Sequence, residues 1–98
     1  MKYVKAERNR LYKRAIDLWG KDLQMDMLIE EMAELTKAVI KNKRNPSFTT
    51  EKNIIEEIAD VKIMIEQMEY MTNSESEVEA IMDKKLQRLD EFINGQIE

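Results

Sequence analysis

The sequence predicts an all-α domain of four helices that form a bundle. Its 98 residues include only two glycines and one proline, while 43% are apolar and 37% are charged. This composition is typical of helices with one apolar stripe and one solvated face. Apolar residues recur at helical spacing, and no stretch alternates as a strand does. We expect one domain over residues 1–98, with oligomerisation completing the bundle because the core of so short a chain is modest.

Breaks in the apolar pattern set the expected order of elements. The first helix is predicted to end or bend at Gly20, and Pro46 marks a loop before the third helix. Thr50 is predicted to cap that third helix, and Ser74, with Glu77 three positions later, to cap the fourth. The predicted helices cover residues 2–19, 21–42 and 51–71 and a last segment that reaches about Phe92, with Asn94-Gly95 as its end.

The residue types exclude several kinds of site. The chain has no cysteine and no histidine. It therefore has no disulfide, no thiolate ligand and no imidazole ligand, and a nucleophile activated by histidine is ruled out. Any metal must be held by oxygen atoms, which favours hard cations such as Mg²⁺, Mn²⁺ or Ca²⁺.

The charge distribution indicates which partners to expect. The net charge of -4 argues against general affinity for nucleic acid. The start of the chain is nevertheless basic, which favours a solvated helix face, with attraction of an anionic ligand as the alternative. No apolar run is long enough for a membrane span or a signal peptide, so we expect a cytoplasmic protein without a membrane partner. The basic residues are Lys2, Lys5, Arg8, Arg10, Lys13 and Arg14.

An internal repeat carries the candidate chemistry. Residues 28–35 match residues 54–61 position by position in chemical type. Each copy holds two acids at i and i+3, so that both lie on one face of its helix. These four acids are Glu31 and Glu34 in the first copy and Glu57 and Asp60 in the second.

Apolar residues border the acids on both helical wheels, so we expect the two acidic faces to pack against each other. Four facing carboxylates repel and need bound protons, basic side chains or cations to offset their charge. Lys37 and Lys62 are predicted to lie to one side of the acids. A pair of divalent cations, Mg²⁺ first, therefore fits best. The alternative is that the acids are ordinary solvated residues.

The motif Glu30-Glu31-x-x-Glu34, followed after a 22-residue gap by Glu57-x-x-Asp60, resembles the MazG-like all-α nucleoside triphosphate pyrophosphohydrolases. That superfamily also includes dimeric dUTPases and dCTP pyrophosphatases. The resemblance extends over most of the chain. Its flanking elements are Trp19-Gly20, Gln24, residues 53–61 and Lys85-x-x-Arg88.

The resemblance implies a helical bundle assembled as a dimer or a dimer of dimers. It implies Mg²⁺-dependent hydrolysis of an NTP or dNTP to the monophosphate and pyrophosphate, for nucleotide-pool control or removal of noncanonical nucleotides, with Mn²⁺ as a possible substitute. Glu31, Glu34, Glu57 and Asp60 would ligate the metal. Glu30 would orient water or serve as an outer acid, and Glu31 is the first candidate for the base that takes the proton of water.

Five further residues are the main candidates for substrate binding, and three more are weaker ones. Lys85 and Arg88 are suited to phosphate contact, although a solvated face explains them as well. Trp19 could stack on a base or belong to the core. Gln24 and Asn53 could hydrogen-bond base or sugar. Lys41, Lys43 and Arg44 offer a weaker phosphate option.

Two rival functions follow from the same sequence. The first is a non-catalytic helical oligomerisation module whose acids bind metal for assembly only or face water. The second is a nucleic-acid binder that uses the basic first helix, which the sparse aromatic residues and acidic net charge disfavour. The pattern leaves open the preferred base and sugar, the number of metal ions, the identity of the base and the choice between dimer and tetramer.

Overall fold

The computed structural model describes residues 2–97, apart from the side chain of Ile97. The four helices are α1 (Lys5–Trp19), α2 (Lys21–Arg44), α3 (Phe48–Thr72) and α4 (Glu75–Ile97). Residues 2–97 contain no strand, and the predicted all-α chain of four helices is confirmed. Within this range no helix combines the length and apolar character that a membrane crossing requires.

The ends of α1 are fixed by local hydrogen bonds. The helix begins at Lys5 and not at residue 2, because Val4 has an extended backbone and its N–H donates to Glu7 Oε1 at 3.1 Å. Gly20 has φ +88°, a left-handed value that glycine adopts without a steric penalty. Its N–H still donates to the Ile16 carbonyl at 2.8 Å. The predicted break at Gly20 is confirmed.

The loop between α2 and α3 is shorter than predicted. Ser47, and not Thr50, caps α3, since Ser47 Oγ accepts from the Thr50 N–H at 3.1 Å while Thr50 Oγ1 accepts from the Ser47 N–H at 2.9 Å. The Thr50 hydroxyl also donates to Asn42 Oδ1 at 2.8 Å. This contact joins the end of α2 to the start of α3, so the two helices run antiparallel from a tight connection.

The predicted bounds of α4 are wrong at its end. The helix continues through Asn94 and Gly95 to Ile97. An interior glycine costs only about 1 kcal/mol relative to alanine, which does not by itself stop a helix. At the other end, Asn73 takes a left-handed φ of 51° and closes α3. The Ser74 hydroxyl lies 2.6 Å from the Thr72 hydroxyl instead of forming the predicted capping box.

The antiparallel α2–α3 pair forms the body of the structure, and α1 packs across both helices. The buried apolar side chains are few: Tyr12, Ala38, Val61 and Met64. Two buried amides lie among them, with Gln67 Nε2 donating to Gln24 Oε1 at 2.6 Å. Because a buried amide needs a hydrogen-bond partner, this one bond between the two side chains fixes how α2 sits along α3.

α4 lies apart from this body, since its backbone approaches only α3. Apolar side chains along most of its length are exposed: Ile81, Met82, Leu86, Leu89, Phe92 and Ile93. The chain exposes 8157 Å², about 2300 Å² more than the roughly 5900 Å² expected for a compact monomer of 11.7 kDa. Its radius of gyration is 16.8 Å, against about 12.6 Å for a compact domain of this length.

Candidate functional site

Antiparallel packing brings the two acidic motifs together midway along α2 and α3. Glu31, Glu57 and Asp60 each offer a carboxylate oxygen, and these three atoms lie within 4.8 Å of one another. Helical geometry explains the convergence, because Glu57 and Asp60 are three residues apart and occupy one face of α3. These three residues are called the acidic cluster below.

Glu34 lies one turn further along α2. It is absent from the group of three, and it lines an adjacent cleft together with Glu57. Glu30 is exposed beside Glu31 on the same helix. The structure therefore brings one oxygen from each of three predicted ligands within 4.8 Å of the others, and it places Glu34 next to them.

The acidic cluster carries uncompensated negative charge. Burial of its carboxyl is the largest cause that raises the pKa of Glu31 above its ordinary value, and the neighbouring carboxylates raise this pKa further. In decreasing order of effect these neighbours are Asp60, Glu57, Glu34 and Glu30. Within residues 2–97 the ion pairs are Lys5–Glu75, Arg8–Glu66 and Lys13–Asp17, and none includes a residue of the acidic cluster.

Glu57 is a second indication that the acidic cluster lacks a positively charged partner. Its Oε2 atom is buried and has no hydrogen-bond partner among the described residues. A buried carboxylate oxygen without a partner is costly and rare in folded proteins. A cation would remove both the repulsion and this unsatisfied acceptor.

The donor set fits a hard divalent cation. All three groups are carboxylates, the ligands that Mg²⁺, Mn²⁺ and Ca²⁺ prefer. Two oxygens bound to one such ion lie up to about twice the metal–oxygen distance apart, roughly 4–5 Å. The oxygen–oxygen distances of up to 4.8 Å are therefore compatible with three carboxylates binding one ion, since partly exposed side chains can adjust.

A cleft of about 250 Å³ opens beside the acidic cluster, between α2 and α3. Its lining residues are Glu34, Lys37, Ala38, Lys41, Asn53 and Glu57. Asn53, predicted as a substrate contact, thus lies next to the acids. Lys37 was expected to lie aside, yet it follows Glu34 by three positions and shares this cleft. Residues three positions apart lie on one face of a helix, so the spacing from Glu34 could have predicted this position of Lys37.

Gln24 has a different environment. It is 2% exposed and engaged with Gln67, and its Nε2 atom also lies 3.9 Å from Met27 Sδ. It precedes Glu31 by seven residues, about 10 Å along the helix axis. Seven residues are nearly two helical turns, so Gln24 lies on the same side of α2 as Glu31, but its amide is engaged in the packing of α2 against α3.

The remaining predicted contacts lie on other surfaces. Trp19 is 56% exposed and lines an open groove along α1. Lys85 and Arg88 are exposed on α4. Among the described residues, no hydrogen bond, ion pair or cavity joins these three side chains to the acidic cluster.

Comparison with known proteins gives no relative from which to transfer a function. No protein-family model, no curated protein and no solved structure matches the chain. A four-helix architecture alone does not define an activity. The acidic cluster and its surroundings are therefore the structural basis for a functional proposal.

Proposed function

We propose that this chain is a MazG-like, Mg²⁺-dependent nucleoside triphosphate pyrophosphohydrolase. The observation that carries the proposal is the convergence of Glu31, Glu57 and Asp60, whose carboxylate oxygens lie within 4.8 Å of one another. The Glu57 Oε2 atom supports it, because this buried oxygen has no hydrogen-bond partner among the described residues and a bound cation would satisfy it.

Glu31, Glu57 and Asp60 hold the metal, and Glu34 extends the ligand set from the next turn of α2. Mg²⁺ is the natural ion and Mn²⁺ can replace it, since both accept oxygen ligands. When bound, the cations offset phosphate charge and lower the pKa of water. Without them, four carboxylates would repel an anionic substrate.

The reaction is attack of water on the α-phosphorus. The bond from that phosphorus to the bridging oxygen breaks, pyrophosphate leaves, and the nucleoside monophosphate remains. Glu31 takes the proton of the attacking water, because a carboxylate at hydrogen-bond distance from water can act as general base. Glu30, exposed beside it, orients that water.

The proposal includes a homodimer or a dimer of dimers. The excess exposed area of about 2300 Å² per chain equals what each partner buries in a large obligate interface. The exposed apolar side chains of α4 are the natural surface to bury. Lys85 and Arg88 contact phosphate only where a second copy brings its α4 across the cleft.

A panel of dNTPs and NTPs, assayed with Mg²⁺ for pyrophosphate release, tests the proposal. We expect release from at least one nucleotide, no release with EDTA, and loss of turnover in Glu31→Gln and Asp60→Asn. Glu56→Gln is the matched control, since Glu56 is an exposed glutamate of α3 outside the acidic cluster. No pyrophosphate from any nucleotide, or full activity in Glu31→Gln, contradicts the proposal.

The rival function is a non-catalytic oligomerisation module, favoured by the same exposed apolar surface. It predicts a stable oligomer that releases no pyrophosphate. It also predicts a melting temperature that is insensitive to Mg²⁺ if the acids merely face water. The nucleotide panel and a melting curve with and without Mg²⁺ distinguish the two functions.

A further inference from the structure

The cleft beside the acidic cluster contains two lysines that the proposed hydrolysis does not yet use. Lys37 and Lys41 line it from α2, one turn apart, opposite Asn53 of α3. Neither lysine takes part in the ion pairs found within residues 2–97. Both ammonium groups are therefore available to a ligand.

Charge changes sign along this cleft. Going up α2, Glu31 and Glu34 come first and Lys37 and Lys41 follow, with Lys41 about 15 Å from Glu31 along the helix axis. Glu57 belongs to both parts, since it contributes to the acidic cluster and also lines the cleft. A ligand bound here meets carboxylates at one end and ammonium groups at the other.

The cleft wall favours one chemical class of ligand. Among the described residues that line the cleft, Ala38 is the only apolar one and none is aromatic, so this lining offers a nucleobase no surface to stack on. Two lysines and an amide suit the oxygens of a phosphate. An anion that carries its own divalent cation satisfies the acidic end as well.

We infer that the Lys37–Lys41 cleft binds the β- and γ-phosphates of a magnesium–triphosphate ligand, with the α-phosphate at the acidic cluster. The identity of the anion rests on the proposed function, whereas the binding of a magnesium polyphosphate does not. Lys37 and Lys41 are then substrate-binding residues that hold the leaving pyrophosphate. Asn53 donates an amide hydrogen bond from the facing wall.

The direct test is calorimetric binding of inorganic tripolyphosphate to the intact protein in the presence of Mg²⁺. We expect the Lys37→Ala/Lys41→Ala double variant to bind at least about tenfold more weakly, since each charged hydrogen bond contributes strongly. The control is Lys62→Ala, which removes the same charge from an exposed position of α3 outside the cleft. The Lys37→Arg/Lys41→Arg variant should keep most of the affinity.

An activity measurement on the same variants separates the two proposals. If the wild type releases pyrophosphate, the double alanine variant should raise KM about tenfold or more, while Lys62→Ala leaves KM unchanged. Suppose that the wild type is active and that the double alanine variant keeps both its KM and its affinity for tripolyphosphate. This result overturns the cleft assignment alone. If the protein binds tripolyphosphate through both lysines but hydrolyses no nucleotide, the proposed function alone is overturned. A wild type that does not bind tripolyphosphate overturns the inference.

Discussion

The Tyr12 hydroxyl donates a 2.8 Å hydrogen bond to Glu66 Oε1, the oxygen that also accepts from Arg8 Nε at 2.8 Å. This three-residue contact joins α1 to α3 at the edge of the small core. Burial raises the pKa of Tyr12 to about 12, helped by the hydrogen bond to Glu66. Glu66 thus anchors α1 against the α2–α3 pair.

Protonation of Glu66 should loosen α1. Burial alone would raise the pKa of Glu66, but hydrogen bonds from Tyr12 and Arg8, with the charges of Arg8 and Lys5, outweigh it and leave the pKa lowered. A lowered folded-state pKa gives stability that is present above the unfolded value of about 4.3 and is lost as pH falls through the folded-state pKa. We expect Glu66→Gln to be less stable than the wild type at pH 7, by about 1–3 kcal/mol.

Denaturant unfolding at several pH values measures this effect. The gap between wild type and Glu66→Gln should shrink as pH falls from 5 to about 3. Glu69→Gln, on the same helix and without a described ion pair, provides the control. A gap that stays constant with pH would show that the Glu66 charge does not anchor α1.

Removing one member of the buried amide pair should destabilise the fold. Gln24→Ala leaves the amide of Gln67, which is 3% exposed, without its 2.6 Å partner. We expect a loss of about 1–3 kcal/mol in the free energy of unfolding. A Gln24→Ala protein with wild-type stability but impaired nucleotide binding would instead favour the substrate role predicted from the sequence.

Neutralising Glu31 should stabilise the metal-free protein. The pKa of Glu31 is raised, first by burial and then by the surrounding carboxylates, so its contribution to stability is present below the unfolded pKa and is lost as pH rises through the folded-state value. At pH 7 in EDTA, Glu31→Gln should therefore melt at a higher temperature than the wild type. Differential scanning calorimetry tests this, with Glu56→Gln as the control.

The same calorimetry should show a larger response to Mg²⁺ in the wild type than in Glu31→Gln. Mg²⁺ at ten times its dissociation constant should stabilise the wild type by about 1.4 kcal/mol, a rise of several degrees in Tm for a domain of this size. Glu31→Gln should gain less. Equal gains in both proteins would mean that Glu31 is not a ligand.

A charge on the apolar stripe of α4 should prevent assembly. Leu89 is 52% exposed, and Leu89→Glu would place a carboxylate in the proposed interface between copies. We expect light scattering to report an oligomer for the wild type and a smaller species for Leu89→Glu. Lys84→Glu is the control for added negative charge on the same helix. A monomeric wild type contradicts the oligomer proposal.

The sequence predicted those parts of the fold that depend on helical periodicity. The repeat at residues 28–35 and 54–61 placed the acids on facing stripes, and antiparallel packing brings Glu31, Glu57 and Asp60 together. The start of α3 was missed because Ser47 and Thr50 both have capping side chains, and only the three-dimensional hydrogen bonds decide between them.

Other features depend on tertiary contacts, which the spacing of residues along a helix does not predict. Gln24 lies on the same side of α2 as Glu31. The packing of α2 against α3 nevertheless places it opposite Gln67, where its amide is buried and hydrogen-bonded. The proposed role of Lys37 depends on the cleft that it lines together with Asn53 and Glu57 of α3. Lys85 lies exposed on α4, and its proposed contact with phosphate depends on the proposed assembly of two copies.

The central claim is that the acidic cluster holds a divalent cation, and anomalous diffraction tests it most directly. Crystals grown with Mn²⁺ should give an anomalous peak among the carboxylates of Glu31, Glu57 and Asp60, and the peak should be absent from Glu57→Gln crystals grown in the same way. Well-diffracting wild-type crystals with no peak between α2 and α3, or with manganese bound only elsewhere, would contradict the claim.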